Sequence, residues 1–469
     1  MAHGIFISEQ ATSLVTPIEV DSAVQVVVGA APINTGETEK ALTPQIAYSY
    51  EEAVKKIGYA ADQLTYPLVQ SIRASFEVYN VCPVVFINVL DPKKHVKTST
   101  SATIAVVEGS AHLDQGGVLL DSISVKVGES ATTLAAGTDY NAKFEKDGTV
   151  TITAVDGGAI TSAVTEIKVS YKQLDPSKIT DQDMLDGIRK IEEVYPRFGV
   201  VPGLLLCPGW SHKPEIYVAM TAAVQRLNDM FNCMVLADLD TDEAPGYEDC
   251  NEIKNQSGLT QENSVLLWPM ARVGDDIYYQ STLMGAHIAN LDYQNDGVPY
   301  VSPSNKSYKI SGLCDKTGAE IVLDKRKADL INEQGICTAI NFNGWRTWGN
   351  YTAGYPSKND VKDMFISVRR MFLWHGNTFV LTYFSKVDDP MNKRLIESVV
   401  DSENIRGNGF KAKGQVAGMK IVYNPKENPE TDLIAGKITF HQIFTPFPPA
   451  QEINNVLEFD PYALKNALE

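Results

Sequence analysis

The chain has no run of about 18 or more apolar residues, so nothing in it reads as a membrane-spanning helix. It also lacks clustered cysteine. Cys82, Cys207, Cys233, Cys250, Cys314 and Cys337 all stand more than four residues apart, which excludes a C-x-x-C metal or redox motif. Several sit in apolar runs, as at Leu204 to Cys207, and read as small buried hydrophobes of a reduced compartment. Basic charge is in deficit. The 41 Lys and Arg stand against 58 Asp and Glu, a net charge of −17, with no cluster able to neutralise phosphates. That excludes nucleic acid as a partner. The triplet Lys325-Arg326-Lys327 reads as a solvated helix face. The opening Met1-Ala2-His3-Gly4-Ile5 lacks the charged start and apolar core of a signal peptide, so the expectation is a chain made and kept in a cytoplasm, with no membrane insertion.

The vocabulary of catalysis is equally sparse. No G-x-x-x-x-G-K-[ST] cradle for phosphates occurs, and Gly29-Ala30-Ala31-Pro32 follows an apolar run without the G-x-G-x-x-G spacing of a dinucleotide site. No G-x-S-x-G elbow is present. Ser211-His212 places two triad residue types side by side, but a triad needs convergence in space, and Ser211 reads as the N-cap of a following helix. Asp238, Asp240, Asp242 and Asp249 mimic part of an EF-hand, yet Glu243 stands where the loop needs Gly. The seven histidines contain no H-x-x-x-H pair. Trp345, Trp348, Tyr351 and Tyr355 read as packing or interface aromatics. The reading therefore assigns no catalytic residue, no cofactor and no metal.

What is present is material for about three domains in 469 residues, with the 44% apolar content of an ordinary globular chain. Residues 1–20 read as an extended arm, with Ile5 and Ile7 alternating with Phe6 and closed off by Pro17. Val24 to Val28 predicts a buried strand, Tyr50 to Ile57 and Leu64 to Tyr79 helices, and Pro83 to Leu90 another strand. From 93 to 175 the composition turns to Ser, Thr, Gly and Val with period-two alternation, a β-sandwich-like all-β domain inserted into the α/β unit. The α/β pattern resumes over 176–350, with helices expected at Asp181 to Tyr195, His212 to Phe231 and Tyr278 to Leu291, and strands at Val201 to Cys207, Cys233 to Ala237 and Val265 to Met270. Such spacing favours a parallel-rich sheet with flanking helices, built from 21–92 and 176–350. Residues 351–450 read as α+β, with helices over Asp360 to Trp374 and Pro390 to Ile405 and strands at Val416 to Tyr423 and Lys437 to Thr445. In the last of these Ile438, Phe440 and Phe444 share a face and mark a sheet edge. After Pro446 to Pro449 the tail 451–469 reads as a second arm, strand-like over Glu452 to Asp460, with Leu457 and Phe459 on one side.

The order of these segments resembles the contractile-tail sheath family. The resemblance rests on His3 to Glu9 followed by Val26 to Ala31 around Gly29, and on Cys207-Pro208-Gly209-Trp210-Ser211-His212. It continues in Gly335-Ile336-Cys337, Trp348-Gly349-Asn350-Tyr351-Thr352, and Ile366-Ser367-Val368-Arg369-Arg370, similar to the family's "VRR" helix. It covers nearly the whole chain except the β insertion. The resemblance implies a structural subunit, not an enzyme, that forms stacked hexameric rings with other copies of itself around a tail tube protein. Baseplate and tail terminator proteins would complete the partners, and the place of work would be a virion tail assembled in a bacterial cytoplasm. It implies further that both arms add strands to neighbouring subunits; the composition shift at 93–175 motivates the expectation of an independent outward domain, with 351–450 inward. A bacteriocin-like or secreted injection device fits the same residues. An α/β hydrolase with a carbohydrate-binding β insertion stays open as a reading from another class.

Overall fold

Three consecutive valines, Val26 to Val28, alternate between two faces that are both buried, which is the condition of a central strand. Gln25–Gly29 (β1) indeed lies inside an eight-stranded sheet. The computed structural model describes residues 21–99, 101–128, 132–145 and 148–468. The other strands of the sheet are Gln45–Ala47 (β2), Val84–Asn88 (β3), Leu204–Leu206 (β4), Met234–Asp238 (β5), Ser264–Leu267 (β6), Ile336–Asn341 (β7) and Trp345–Trp348 (β8). Their order is β8-β7-β6-β5-β4-β1-β3-β2. The inner six are parallel, and β2 and β8 close the two ends antiparallel.

Alternation along the strands sorts the core into two layers. Val26, Val28, Val85, Ile87 and Leu205 face Asp181–Arg189 (α3) and Pro214–Ala223 (α4) through Met184, Ile188, Ile216 and Met220. Val27, Val84, Phe86, Leu204 and Leu206 face the other way. They meet Tyr50–Ile57 (α1), Pro67–Ile72 (α2) and Gln280–Tyr293 (α5). Gly187 lets α3 lie close, since a Cβ there would stand 2.8 Å from Val28.

The insertion leaves and re-enters through a two-stranded neck, Val96–Thr98 against Lys172–Leu174. Beyond it stand two three-stranded antiparallel sheets. Val125, Ile167 and Val169 of one share a separate cluster with Val150 and Ile152 of the other. Asn34 Nδ2, donating to Val118 O at 3.2 Å, adds a contact to the core. The last third comprises Ile366–Tyr383 (α6), Lys393–Ala412 (α7), the antiparallel pair Val416–Tyr423 (β9) and Phe440–Pro446 (β10), and Pro461–Leu468 (α8).

Several expectations need correction. The helix expected from His212 to Phe231 stops at Ala223, because Arg226, Asn228 and Asp229 turn the chain through left-handed conformations that a helix cannot hold. Its N-cap is Lys213 with Pro214 at the first helical position, so Ser211 caps nothing. The helix expected to Tyr79 widens into a π-helix over Arg73–Tyr79. Asp360 to Trp374 is broken at Phe365, between a short helix Val361–Met364 and α6. Cys82 is exposed, unlike the other five cysteines. The tail forms no strand over 452–460 and ends in the unexpected helix α8, which its own sequence explains: Asp460 accepts from Tyr462 N at 2.9 Å just before Pro461. The expected arm strand at Ile5, Phe6 and Ile7 lies outside the described residues.

Candidate functional site

The chain's last sheet carries the edge at which Ile438, Phe440 and Phe444 are expected. β10 alternates strictly: Ile438, Phe440, Gln442 and Phe444 are half-buried, and Thr439, His441, Ile443 and Thr445 are exposed. β9 pairs with it in register Ile421↔Gln442 and Met419↔Phe444. The outer edge of β9 is closed by a side chain. Asn404 of α7 donates Nδ2 to Ile421 O and accepts Ile421 N on Oδ1, both at 3.0 Å, mimicking a strand's backbone. Because both polar groups of Ile421 point outward, those of its partner Gln442 point outward on the far side, and so do those of Phe440 and Phe444. Among the described residues no strand pairs with that edge. Phe440 and Phe444 thus lie on β10 with their backbone groups toward the open edge, and Ile438 precedes the strand on the same face.

A buried polar cluster fixes this strand to the helices. His375 of α6 meets Gln442 Oε1 at 2.9 Å through Nε2 and stacks on Phe444 at 4.7 Å. Glu403 of α7 is 1% exposed; it lies 3.4 Å from Gln442 Nε2 and accepts Arg406 Nη1 at 3.4 Å. Burial pushes the His375 imidazole below its ordinary pKa, so it is neutral at pH 7 and Nε2 is the donor. No periodicity in the sequence signals Glu403, Asn404 or His375 as partners, because they converge only when both helices cross under the sheet.

The tail leaves this region with its apolar side chains bare. Ile453, Val456, Leu457 and Phe459 are between 76% and 90% exposed, and Tyr462 and Leu468 of α8 follow suit. Leu457 and Phe459 therefore have no cover among the described residues, whereas the same residue types in β1 to β8 are buried.

The carboxyl ends of the parallel strands hold a crevice of about 250 Å³, lined by Gly209, Trp210, His212, Asp238, Asp240 and Tyr279. Sheets of this kind bind ligands at such ends. Here Ser211 Oγ is fully buried and accepts Asp238 N at 3.0 Å, and His212 lies 3.5 Å from Asp240. Burial pushes the Asp238 carboxyl up to about 6, opposed by the Ser281 N–H and hydroxyl that donate to it. The serine is tied to a backbone amide, and the imidazole faces a different carboxylate from the one beside that serine, so the two members of a triad are not brought together.

The remaining motif positions are architectural. Gly29 ends β1 and meets Leu68 at ordinary contact distance. Pro208 is buried behind β4. Gly209 has φ +78° with the Tyr279 ring 3.2 Å from where a Cβ would lie, and Gly349 has φ +127° with Cys337 Cα at 2.8 Å from that point. Trp348 donates Nε1 to Asp329 at 2.8 Å. Arg369 and Arg370 stand in the first turn of α6, facing Asn263 and Asp292 respectively.

No family model matches the chain. The tail sheath protein of Burkholderia phage BcepMu is 25% identical over 472 aligned residues, covering 96% of this chain and 95% of that protein. The tail sheath protein of Escherichia phage P2 is 25% identical over 70% of this chain and 80% of its own length. Among solved structures, the sheath complex of the PVC extracellular contractile injection system in its contracted state aligns over 99% of both chains, with a TM-score of 0.57 at 14% identity. A chain of the anti-feeding prophage baseplate aligns over 98% of this chain and 99% of its own, with a TM-score of 0.59 at 14% identity. The structures share the fold, a mixed α/β frame with a many-stranded sheet. Curated tail sheath proteins are thus similar to this chain over most of its length, and the solved structures of contractile injection systems share its fold.

Proposed function

We propose that the chain polymerises as stacked hexameric rings around a tail tube, and that this lattice shortens and widens on a signal from a baseplate to drive the tube through a cell envelope. Residues 451–469 and 1–20 are the connectors, and the open edge of β10 is where a neighbour's arm adds a strand. The supporting observation is the pairing of an unpaired strand edge with an exposed apolar tail on one molecule. Isolated extended segments are unstable in water, so the tail needs a partner. Residues 93–175 form the outward domain and 351–450 the domain nearer the tube, each moving as a rigid body while the arms keep neighbours tethered. A tail terminator protein caps the last ring.

The reading is tested by deleting residues 1–20 or 452–469 and measuring melting temperature beside polymer length by electron microscopy. The expected outcome is an unchanged melting temperature with loss of long tubes. Full-length tubes from both truncations would overturn arm exchange.

A further inference from the structure

We infer that the first turn of α6, Phe365 to Arg370, is a single bracket that holds the roots of both terminal arms, with Arg370 and Tyr351 as its positioning residues. The inference rests on the arm reading above for its mechanical meaning, though not for its geometry.

Consider first where the N-terminal segment enters the core. Ser22 lies next to the first described residue and is 8% exposed. Arg370 Nη2 donates to the Ser22 carbonyl at 3.3 Å and to Asp292 Oδ2, while Nη1 donates to Asp292 Oδ1 at 3.0 Å. The Ser22 hydroxyl donates to the same Asp292 carboxylate. Arg370 and Asp292 have side chains 3% and 2% exposed, so the fork is sealed from water. The adjoining segment of the same chain leaves room for this arrangement through Gly203, where a Cβ would stand 2.3 Å from the Ser22 carbonyl oxygen. Only a planar guanidinium can reach both carboxylate oxygens and a backbone carbonyl together; an ammonium presents one point.

One turn earlier, the same element holds the other terminus. Phe365 stacks on Tyr351 at 5.4 Å and 17°, the two residues form an isolated β-bridge, and Ile366 N donates to Asn350 O at 3.0 Å. The Tyr351 hydroxyl then donates to Gln451 Oε1 at 2.7 Å, at the point where the chain runs out past Pro449 into the exposed tail. Between the two anchors Arg369 donates Nε to Asn263 Oδ1 at 2.7 Å, pinning the turn to the entry of β6. Segments from opposite ends of the chain are thus held by six consecutive residues. A pull on one arm is borne by the turn that positions the other, so the arms do not pivot independently.

The test uses full-length Tyr351→Phe, Arg370→Lys and Ser22→Ala proteins, with hydrogen exchange read on the monomer at amides 22–24 and 450–453 and tube length read by electron microscopy. Tyr351→Phe removes one hydrogen bond and is expected to speed exchange at 450–453 by about fivefold, with a smaller rise at 22–24. Arg370→Lys is expected to loosen 22–24 most and 450–453 as well, and both variants to shorten tubes. Ser22→Ala keeps the Arg370–Asp292 pair, so it reports on the arm root even where Arg370→Lys fails to fold; it is expected to speed exchange at both segments. If each substitution loosens only the segment it touches, the anchors are independent and the bracket is wrong. Because exchange is measured without assembly, long tubes from the arm truncations would sink the arm reading while leaving the bracket standing or falling on its own data.

Discussion

The eight-stranded sheet and the two-stranded sheet treat their edges in opposite ways. In the large sheet, the outer edge of β8 is occupied by residues 305–308: Asn305 N donates to Thr347 O, Thr347 N to Lys306 O, and Tyr308 N to Trp345 O. The small sheet closes one edge with the Asn404 side chain and leaves the backbone groups of Phe440, Gln442 and Phe444 facing out on the other. An unpaired edge is an aggregation hazard wherever it is not used. The edge of β8 is thus covered by a loop and that of β9 by a side chain, whereas that of β10 is unpaired among the described residues. In the assembly proposed above, the large sheet is the rigid body and the small one the connector.

That contrast makes the two regions respond differently to substitution, and the largest effect belongs to the large sheet. Phe86 is fully buried in β3, and Phe86→Ala should lower the unfolding free energy by about 3–5 kcal/mol in urea titration of the monomer. Tube formation should fall only as far as the folded fraction does. A smaller loss, about 2 kcal/mol, is expected for Asn404→Ala, which strips both partners from the buried Ile421 backbone. The same variant opens a second edge, so its products in light scattering should be larger and less regular than tubes.

Acid provides the next step down. Burial depresses His375 and takes His287 to about 4, so both are neutral in the fold and protonate more readily in the unfolded chain. The stability they contribute is therefore complete above about pH 6.5 and is lost as pH falls toward the folded values, for His287 by about 1 kcal/mol per pH unit. His375→Gln should flatten the acid limb of the melting curve; an unaltered limb would mean that the cluster under β10 does not sense protons. Smallest of all on the monomer is the tail. Leu457→Ser with Phe459→Ser should change stability by less than about 0.5 kcal/mol, because neither side chain is covered, and yet should abolish long tubes.

Local pattern told much of the large sheet and little of the connector. Val26 to Val28, Leu204 to Leu206 and Met234 to Ala237 are apolar on both faces, and that alone marks inner parallel strands. Half-burial of Ile438, Phe440 and Phe444 is legible for a different reason, their alternation with mostly polar residues. The helix after His212 was not, since Arg226, Asn228 and Asp229 break it by backbone conformation while the apolar spacing continues. Asn404, Glu403 and Arg370 act through partners 17, 39 and 78 residues away, distances no periodicity encodes. Asp460-Pro461 is a readable helix start, but the alternation of the residues before it suggests a strand. The proposed strand at Ile5 to Ile7 rests on alternation alone.

The neck of the insertion has a consequence for how such a chain can change. Val96 pairs with Leu174, so the way in and the way out of the β insertion stand one strand spacing apart, about 5 Å. Apart from contacts such as that of Asn34 with Val118, what hangs between them meets the frame as a tight turn would. A compact module whose two ends meet fits the same neck, and in the assembly proposed above such modules would be displayed along the length of a tail.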